Sequence, residues 1–63
     1  MPIAQIYMME GRTDDQKRLI IEKVTQALVE GAGSSPDQVR VLIHEMPKTQ
    51  WGIGGKTAKD LGR

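Results

Sequence analysis

The sequence of 63 residues has no cysteine and no phenylalanine, and it has only one tryptophan, one tyrosine and one histidine. The lack of cysteine excludes disulfide bonds and thiolate metal sites, and a single histidine cannot form a metal site alone. A domain of this size buries only about 60% of the surface that its unfolded chain exposes, so a monomer would be marginal. Because neither disulfides nor a large aromatic core is available, we expect the chain to be stabilised by self-association.

Long runs of like charge and long apolar runs are also absent. Nine Lys and Arg residues against eight Asp and Glu residues give a net charge of +1, which does not favour nucleic acid or membrane partners. No apolar run approaches the roughly 20 residues of a membrane-spanning helix. The first residues lack the charged and apolar regions of a signal peptide. We therefore expect one domain over residues 1–63, located in the cytoplasm.

The local patterns predict a strand, a helix and a second strand. Residues 2–9 are predicted to form the first strand. Thr13 and Gln16 have the spacing of a capping box, which predicts the start of a helix of about 18 residues. Apolar residues recur at helical spacing, Lys17 is assigned to the solvent side, and glycines end the helix. Residues 39–45 are predicted to form the second strand, and the glycine-rich remainder has room for a hairpin.

This order forms a βαβ unit, whose crossover makes the two strands parallel. A single helix covers one face of the sheet, whereas parallel sheets are normally covered on both faces. Both faces carry apolar side chains here: Ile3 and Tyr7 against Ala4, Ile6 and Met8 in the first strand, and Leu42 against Val39, Val41 and Ile43 in the second. We therefore predict an α+β fold in which another copy of the chain covers the second face.

Pro2 is the first candidate for chemistry, because removal of Met1 would leave a secondary amine at the chain terminus. A desolvated pocket near cations lowers the pKa of such an amine. The amine can then act as a general base and return the same proton, without a metal or a cofactor. The alternative is a proline that only starts a strand, where its missing N–H falls outside the ladder.

Two arginines are candidates for binding an anionic substrate. Arg40 interrupts an apolar strand and needs an anionic partner, which is a substrate carboxylate or, alternatively, Glu45 or Asp37 of the same or a neighbouring chain. Arg12 follows the first strand, and its alternative role is that of a solvated loop cation. Pro2 and Arg40 both begin parallel strands, whereas Arg12 lies roughly 25–30 Å from Pro2 at about 3.3 Å per residue. If Arg12 acts with Pro2, it must come from another subunit.

Trp51 is predicted to form an apolar wall of the amine's pocket, an anchor of the subunit interface, or both. Gly55–Thr57 resembles the end of a phosphate-binding loop, but Gln50 replaces the first glycine of that motif and no long helix follows. His44 is expected to be a strand residue that pairs with solvent or a carboxylate. No metal site is predicted.

Taken together, these residues resemble a known family over nearly the whole chain. The sequence is similar to 4-oxalocrotonate tautomerase, also called 2-hydroxymuconate tautomerase, in residues 2–6, 10–12, 39–41, 45–46 and 52–55. The resemblance implies the βαβ tautomerase fold in a homohexamer. It also implies a cofactor-independent isomerase that ketonises 2-hydroxymuconate-type dienols to 2-oxo acids in aromatic hydrocarbon catabolism.

The resemblance further implies a role for each candidate residue. Pro2 would carry the proton, and Arg12 would bind the distal carboxylate and draw electron density. Arg40 would bind the oxygen and the carboxylate at the 2-position of the substrate. Trp51 stands where family members have Phe. This aromatic replacement keeps the apolar wall of the pocket and makes it larger. Tyr7 stands where the family has His.

Three alternatives remain open. The same fold and amine would also support a hydratase or dehalogenase of unsaturated acids, which needs a further carboxylate such as Glu10 or Glu45. A strand-helix DNA-binding dimer needs a second helix and a basic patch, which the sequence does not predict. A structural oligomer without activity would be unaffected by Pro2→Ala, whereas the enzyme would lose its activity.

Overall fold

The computed structural model describes residues 1–63 and has the predicted strand-helix-strand order. Strand β1 spans Ile3–Met9, helix α1 spans Asp14–Ala32, and strand β2 spans Arg40–Met46. The strands β1 and β2 are parallel and form a two-stranded sheet. The predicted βαβ unit is confirmed, with β2 displaced by one residue from the predicted range 39–45.

The residues after β2 form a short hairpin, as the glycine-rich composition predicts. Strands β3 (Gly52–Ile53) and β4 (Lys56–Thr57) pair antiparallel. Gly54 and Gly55 connect them with φ values of 60° and 88°. A two-residue type I′ turn needs positive φ at both positions, and glycine adopts these angles without the steric cost of a Cβ. Two short 3₁₀ helices flank β2, at Pro36–Gln38 and Lys48–Gln50.

Helix α1 begins and ends at the residues that the local signals indicate. The Gln16 backbone N–H donates to the Thr13 hydroxyl at 3.1 Å, and the Gln16 side-chain oxygen accepts from the Thr13 N–H at 2.9 Å. This reciprocal pair is the predicted capping box. At the other end Gly33 has a φ of 68°, and its N–H donates to the carbonyl of Val29 at 3.1 Å.

Lys17 departs from its predicted position on the solvent side of α1. Its side chain is 25% exposed, and its Nζ lies 2.8 Å from the carboxylate of Glu45 and 3.4 Å from that of Asp14. The hydrogen bond to Glu45 is the main cause that raises the pKa of Lys17 above its usual value. Since Glu45 belongs to β2, this contact also shows which face of the sheet α1 covers.

Helix α1 leaves the opposite face of the sheet uncovered. The register pairs Ile3 with Arg40 and Tyr7 with His44, so these residues share one face with Leu42. On that face Ile3 is 58% exposed, Tyr7 60% and Leu42 44%. The two-faced apolar pattern predicted from the sequence is confirmed.

The chain is flat and elongated, with almost no core of its own. Val39 and Ala58 are the only buried residues. The radius of gyration is 14.5 Å, whereas a compact domain of this length has about 11 Å. The principal extents are 42 × 23 × 13 Å. None of the helices has the length and apolar character needed to cross a membrane.

Candidate functional site

Pro2 and Arg40 lie side by side at one edge of the sheet, as predicted. The backbone N–H of Arg40 donates to the carbonyl of Pro2 at 3.0 Å. This contact follows from the register, in which Ile3 is opposite Arg40. Pro2 is half-buried and Arg40 is exposed. The parallel arrangement therefore brings the terminal proline and a guanidinium to the same end of the molecule.

The Arg40 guanidinium has no carboxylate partner within the chain. It donates to the backbone carbonyl of Asp37 at 2.6 Å and to a second carbonyl at 3.2 Å. The Asp37 carboxylate instead accepts from the Ser35 hydroxyl at 2.8 Å, and the Glu45 carboxylate pairs with a lysine of α1. Neither of the carboxylates considered as alternative partners neutralises Arg40 in the same chain, so its charge is available to an anion.

Arg12 lies at the opposite end of β1, between that strand and α1. It lines a pocket of about 330 Å³, together with Met8, Met9, Glu10, Gly11, Lys48 and Arg63. Pro2 is not among the residues that line this pocket. Because the whole of β1 separates them, one chain does not bring Pro2 and Arg12 to the same small ligand, as the strand length predicts.

Two residues of this pocket, Lys48 and Arg63, were not predicted from the sequence. Lys48 follows the carboxyl end of β2, just as Arg12 follows that of β1. The carboxyl ends of parallel strands lie at the same edge of a sheet, so the βαβ topology could have predicted that Lys48 lies near Arg12. No local pattern indicates Arg63, because its position depends on the path of the C-terminal segment.

Trp51 is half-buried and connects the second 3₁₀ helix to β3. Its carbonyl accepts from the N–H of Ala58 at 2.7 Å, which holds the hairpin against the residues that follow it. Trp51 follows the carboxyl end of β2, whereas Pro2 precedes β1. It does not line the pocket that contains Arg12. We therefore expect any contact of Trp51 with the amine of Pro2 to form between subunits.

His44 lies on the uncovered face of the sheet and differs from its prediction. Its ring stacks on that of Tyr7 with centroids 4.7 Å apart and an interplanar angle of 17°. Its Nε2 atom is buried and has no hydrogen-bond partner. The predicted pairing with solvent or a carboxylate does not occur at Nε2, and the neighbouring strand supplies an aromatic ring at this position. The structure contains no cluster of three or more metal-ligating side chains.

Comparison with known proteins identifies the family. The family model described as "Tautomerase enzyme" matches residues 2–61. A 2-hydroxymuconate tautomerase of Comamonas testosteroni is 60% identical over 63 residues, which is all of both chains.

Two solved structures have the same fold. A 4-oxalocrotonate tautomerase isozyme of Methylibium petroleiphilum has a TM-score of 0.94 and 61% identity, covering 98% of this chain and all of that one. A heterohexamer 4-oxalocrotonate tautomerase from Chloroflexus aurantiacus has a TM-score of 0.91 and 31% identity, covering 97% and 98% of the two chains. The chain therefore belongs to the 4-oxalocrotonate tautomerase family and is a tautomerase, an enzyme of the isomerase class.

Proposed function

We propose that this tautomerase ketonises 2-hydroxymuconate-like dienols, with the amine of Pro2 as the group that carries the proton. The main support for this proposal is the sheet register, in which Pro2 lies beside Arg40. The backbone N–H of Arg40 lies 3.0 Å from the carbonyl oxygen of Pro2, and the Arg40 guanidinium has no carboxylate partner in the chain. The name of the Comamonas testosteroni relative supports the same substrate class. It also favours tautomerisation over the hydration or dehalogenation of unsaturated acids.

The proposed reaction moves one proton and needs no net oxidation. The amine of Pro2 takes the proton of the enol hydroxyl, and the electrons move along the conjugated chain. The resulting ammonium returns the proton to a carbon of that chain, which gives the 2-oxo acid. Arg40 binds the 2-oxygen and its adjacent carboxylate. Arg12 stabilises the delocalised anion from the distal end more strongly than it stabilises the substrate, which accelerates the reaction.

Two conditions must be met before Pro2 can act. Met1 must be removed, because a proline nitrogen that carries a preceding residue is an amide and is not basic. Arg12 must come from a neighbouring subunit, because Pro2 and the Arg12 pocket lie at opposite ends of β1 in one chain. Assembly is then a condition of activity as well as of stability.

We further propose a homohexamer of one-domain subunits. The exposed Ile3, Tyr7 and Leu42 on the uncovered sheet face support contact between subunits, and so does the small number of buried residues. The likeness to the Chloroflexus aurantiacus heterohexamer supports six subunits. The lack of cysteine agrees with a location in the cytoplasm.

The decisive variant is Pro2→Ala in protein whose intact mass shows that Met1 has been removed. Loss of a positioned acid/base group lowers the rate by about 10²–10⁴-fold, so we expect a loss of this size in the ketonisation of 2-hydroxymuconate. The mass of the assembly should not change, because Pro2 precedes the strand and contributes its carbonyl, which Ala also provides. Ketonisation is followed by ultraviolet absorbance, and assembly by light scattering.

Pro36→Ala is a matched control, since Pro36 is exposed and begins a 3₁₀ helix away from the strand ends. We expect its rate to equal that of the wild type. Wild-type activity in processed Pro2→Ala would refute the proposed mechanism. A processed monomer that ketonises dienols would refute the shared site.

A further inference from the structure

The pocket that contains Arg12 holds more positive charge than one guanidinium supplies. Arg12, Lys48 and Arg63 all line it, and Glu10 is its only acidic residue. Three cationic side chains against one acidic side chain leave a net side-chain charge of +2 in a pocket of about 330 Å³. The volume is large enough for a carboxylate with several waters, each of which occupies about 30 Å³ in the liquid.

The chain neutralises none of these three cations. Its ion pairs join Lys17 to Asp14 and Glu45, and Arg18 to Asp15. Arg12, Lys48 and Arg63 take part in none of them, and neither does Glu10. Like charges gathered in a concave site repel one another and raise the local concentration of anions. A bound anion would therefore relieve an unfavourable arrangement that the folded chain maintains.

The backbone holds Lys48 and Arg63 at the pocket. The carbonyl of Lys48 accepts from the N–H of Lys59 at 3.3 Å, which ties the C-terminal segment to the end of β2. The N–H of Arg63 donates to the carbonyl of the buried Ala58 at 2.9 Å. Gly62 precedes Arg63 with a φ of 71°, a left-handed conformation that turns the chain at this point. The position of Arg63 thus follows from a folded turn.

We propose that Lys48 and Arg63 bind the distal anionic group of the substrate together with Arg12, and that they make this tautomerase selective for dicarboxylate over monocarboxylate dienols. The inference rests on the proposed function, because it concerns the substrate of the same site. Arg12 supplies a fork for two carboxylate oxygens, whereas Lys48 adds a point charge.

The two added cations should affect substrate binding more than the chemical step. Arg12 stabilises the charge that develops along the conjugated chain, whereas Lys48 and Arg63 hold the carboxylate itself, whose own charge is the same in the substrate and in the transition state. Such uniform binding lowers KM and leaves kcat nearly unchanged. A monocarboxylate dienol has no group for this pocket, so its kinetics should hardly depend on Lys48 and Arg63.

The test is the double variant Lys48→Gln/Arg63→Gln, assayed with 2-hydroxymuconate and with the enol of phenylpyruvate. Exposed ionic contacts contribute about 0.2–1 kcal/mol each, so we expect KM for 2-hydroxymuconate to rise about 2- to 30-fold and kcat to change less than about twofold. KM for the phenylpyruvate enol should change less than about twofold. Each single variant should show part of the effect.

Lys56→Gln/Lys59→Gln is the matched control, because it removes the same charge from the same C-terminal segment at residues that do not line the pocket. We expect both KM values of this control to equal those of the wild type. An unchanged KM for 2-hydroxymuconate in Lys48→Gln/Arg63→Gln, or an equal rise for both substrates, would overturn the inference and leave the proposed function standing.

The salt dependence of KM provides a second test of the same inference. Screening by added NaCl weakens the attraction between exposed charges. KM for 2-hydroxymuconate should therefore rise more steeply with NaCl in the wild type than in Lys48→Gln/Arg63→Gln, because only the wild type has the two added cations. Equal slopes would also overturn the inference. A processed wild-type enzyme that ketonises neither substrate would instead refute the proposed function, and the inference with it.

Discussion

The uncovered face of the sheet gives the sharpest prediction about assembly, and Leu42 is the residue to change. Leu42 lies near the middle of β2 and is 44% exposed in the isolated chain. Full burial of a leucine side chain contributes about 1.5–3 kcal/mol. Covering the remaining 44% of Leu42 in an interface therefore contributes about 1 kcal/mol per subunit.

Two substitutions at this position separate the loss of apolar contact from the burial of charge. Leu42→Ala should lose about 1 kcal/mol per subunit and remain assembled at high protein concentration. Leu42→Asp should dissociate, because the desolvation of a carboxylate in a covered apolar face costs several kcal/mol per ion. Tautomerase activity should fall with the assembled fraction, since the proposed site draws Arg12 from another subunit.

Sedimentation velocity over a series of protein concentrations, with activity measured on the same samples, checks this prediction. Lys23→Asp is the control, because Lys23 is an exposed helix residue without an ion pair. We expect it to keep the wild-type sedimentation coefficient. If Leu42→Asp sediments like the wild type and remains active, the sheet face is not an interface, and the reasoning from its exposed apolar side chains is wrong.

Two further predictions concern α1. Thr13→Ala removes the capping hydrogen bond to Gln16 and should lower the free energy of unfolding by about 1 kcal/mol, measured by denaturant titration at fixed protein concentration. Lys17→Gln should lower Tm near neutral pH, because the raised pKa of Lys17 means that its charged form stabilises the fold through Glu45. The stabilisation by the charged Lys17 is fully present below pH 10.5, the usual pKa of a lysine. It is lost as the pH rises through the raised pKa of Lys17 in the folded protein. The difference in Tm between Lys17→Gln and the wild type should therefore shrink at high pH. A difference that stays constant with pH would contradict this role of the charged Lys17.

Most of the fold could be predicted because its signals are local. The capping box at Thr13 and Gln16 and the left-handed Gly33 fix the ends of α1, and each involves residues close in sequence. The βαβ order then implies parallel strands. From this topology alone, Pro2 and Arg40 were expected at one edge and Arg12 at the other, and the structure has this arrangement.

The rest depends on contacts between distant parts of the chain. Lys17 and Glu45 are 28 positions apart, and helical periodicity does not tell which cation of α1 reaches the sheet. Arg63 reaches the Arg12 pocket only because the segment after β4 turns back through Gly62. His44 meets Tyr7 because of the strand register, which the sequence did not specify residue by residue.

The two-stranded sheet has a consequence for how subunits are made and exchanged. β1 and β2 pair only with each other, so each strand leaves one row of backbone N–H and C=O groups without a partner in the chain. Such bare edges recruit any extended polypeptide and favour aggregation. A subunit released by dilution would expose these edges beside an apolar face. Rapid capture by sister chains would therefore protect newly synthesised protein from precipitation, and strong dilution would lower its activity by separating the subunits.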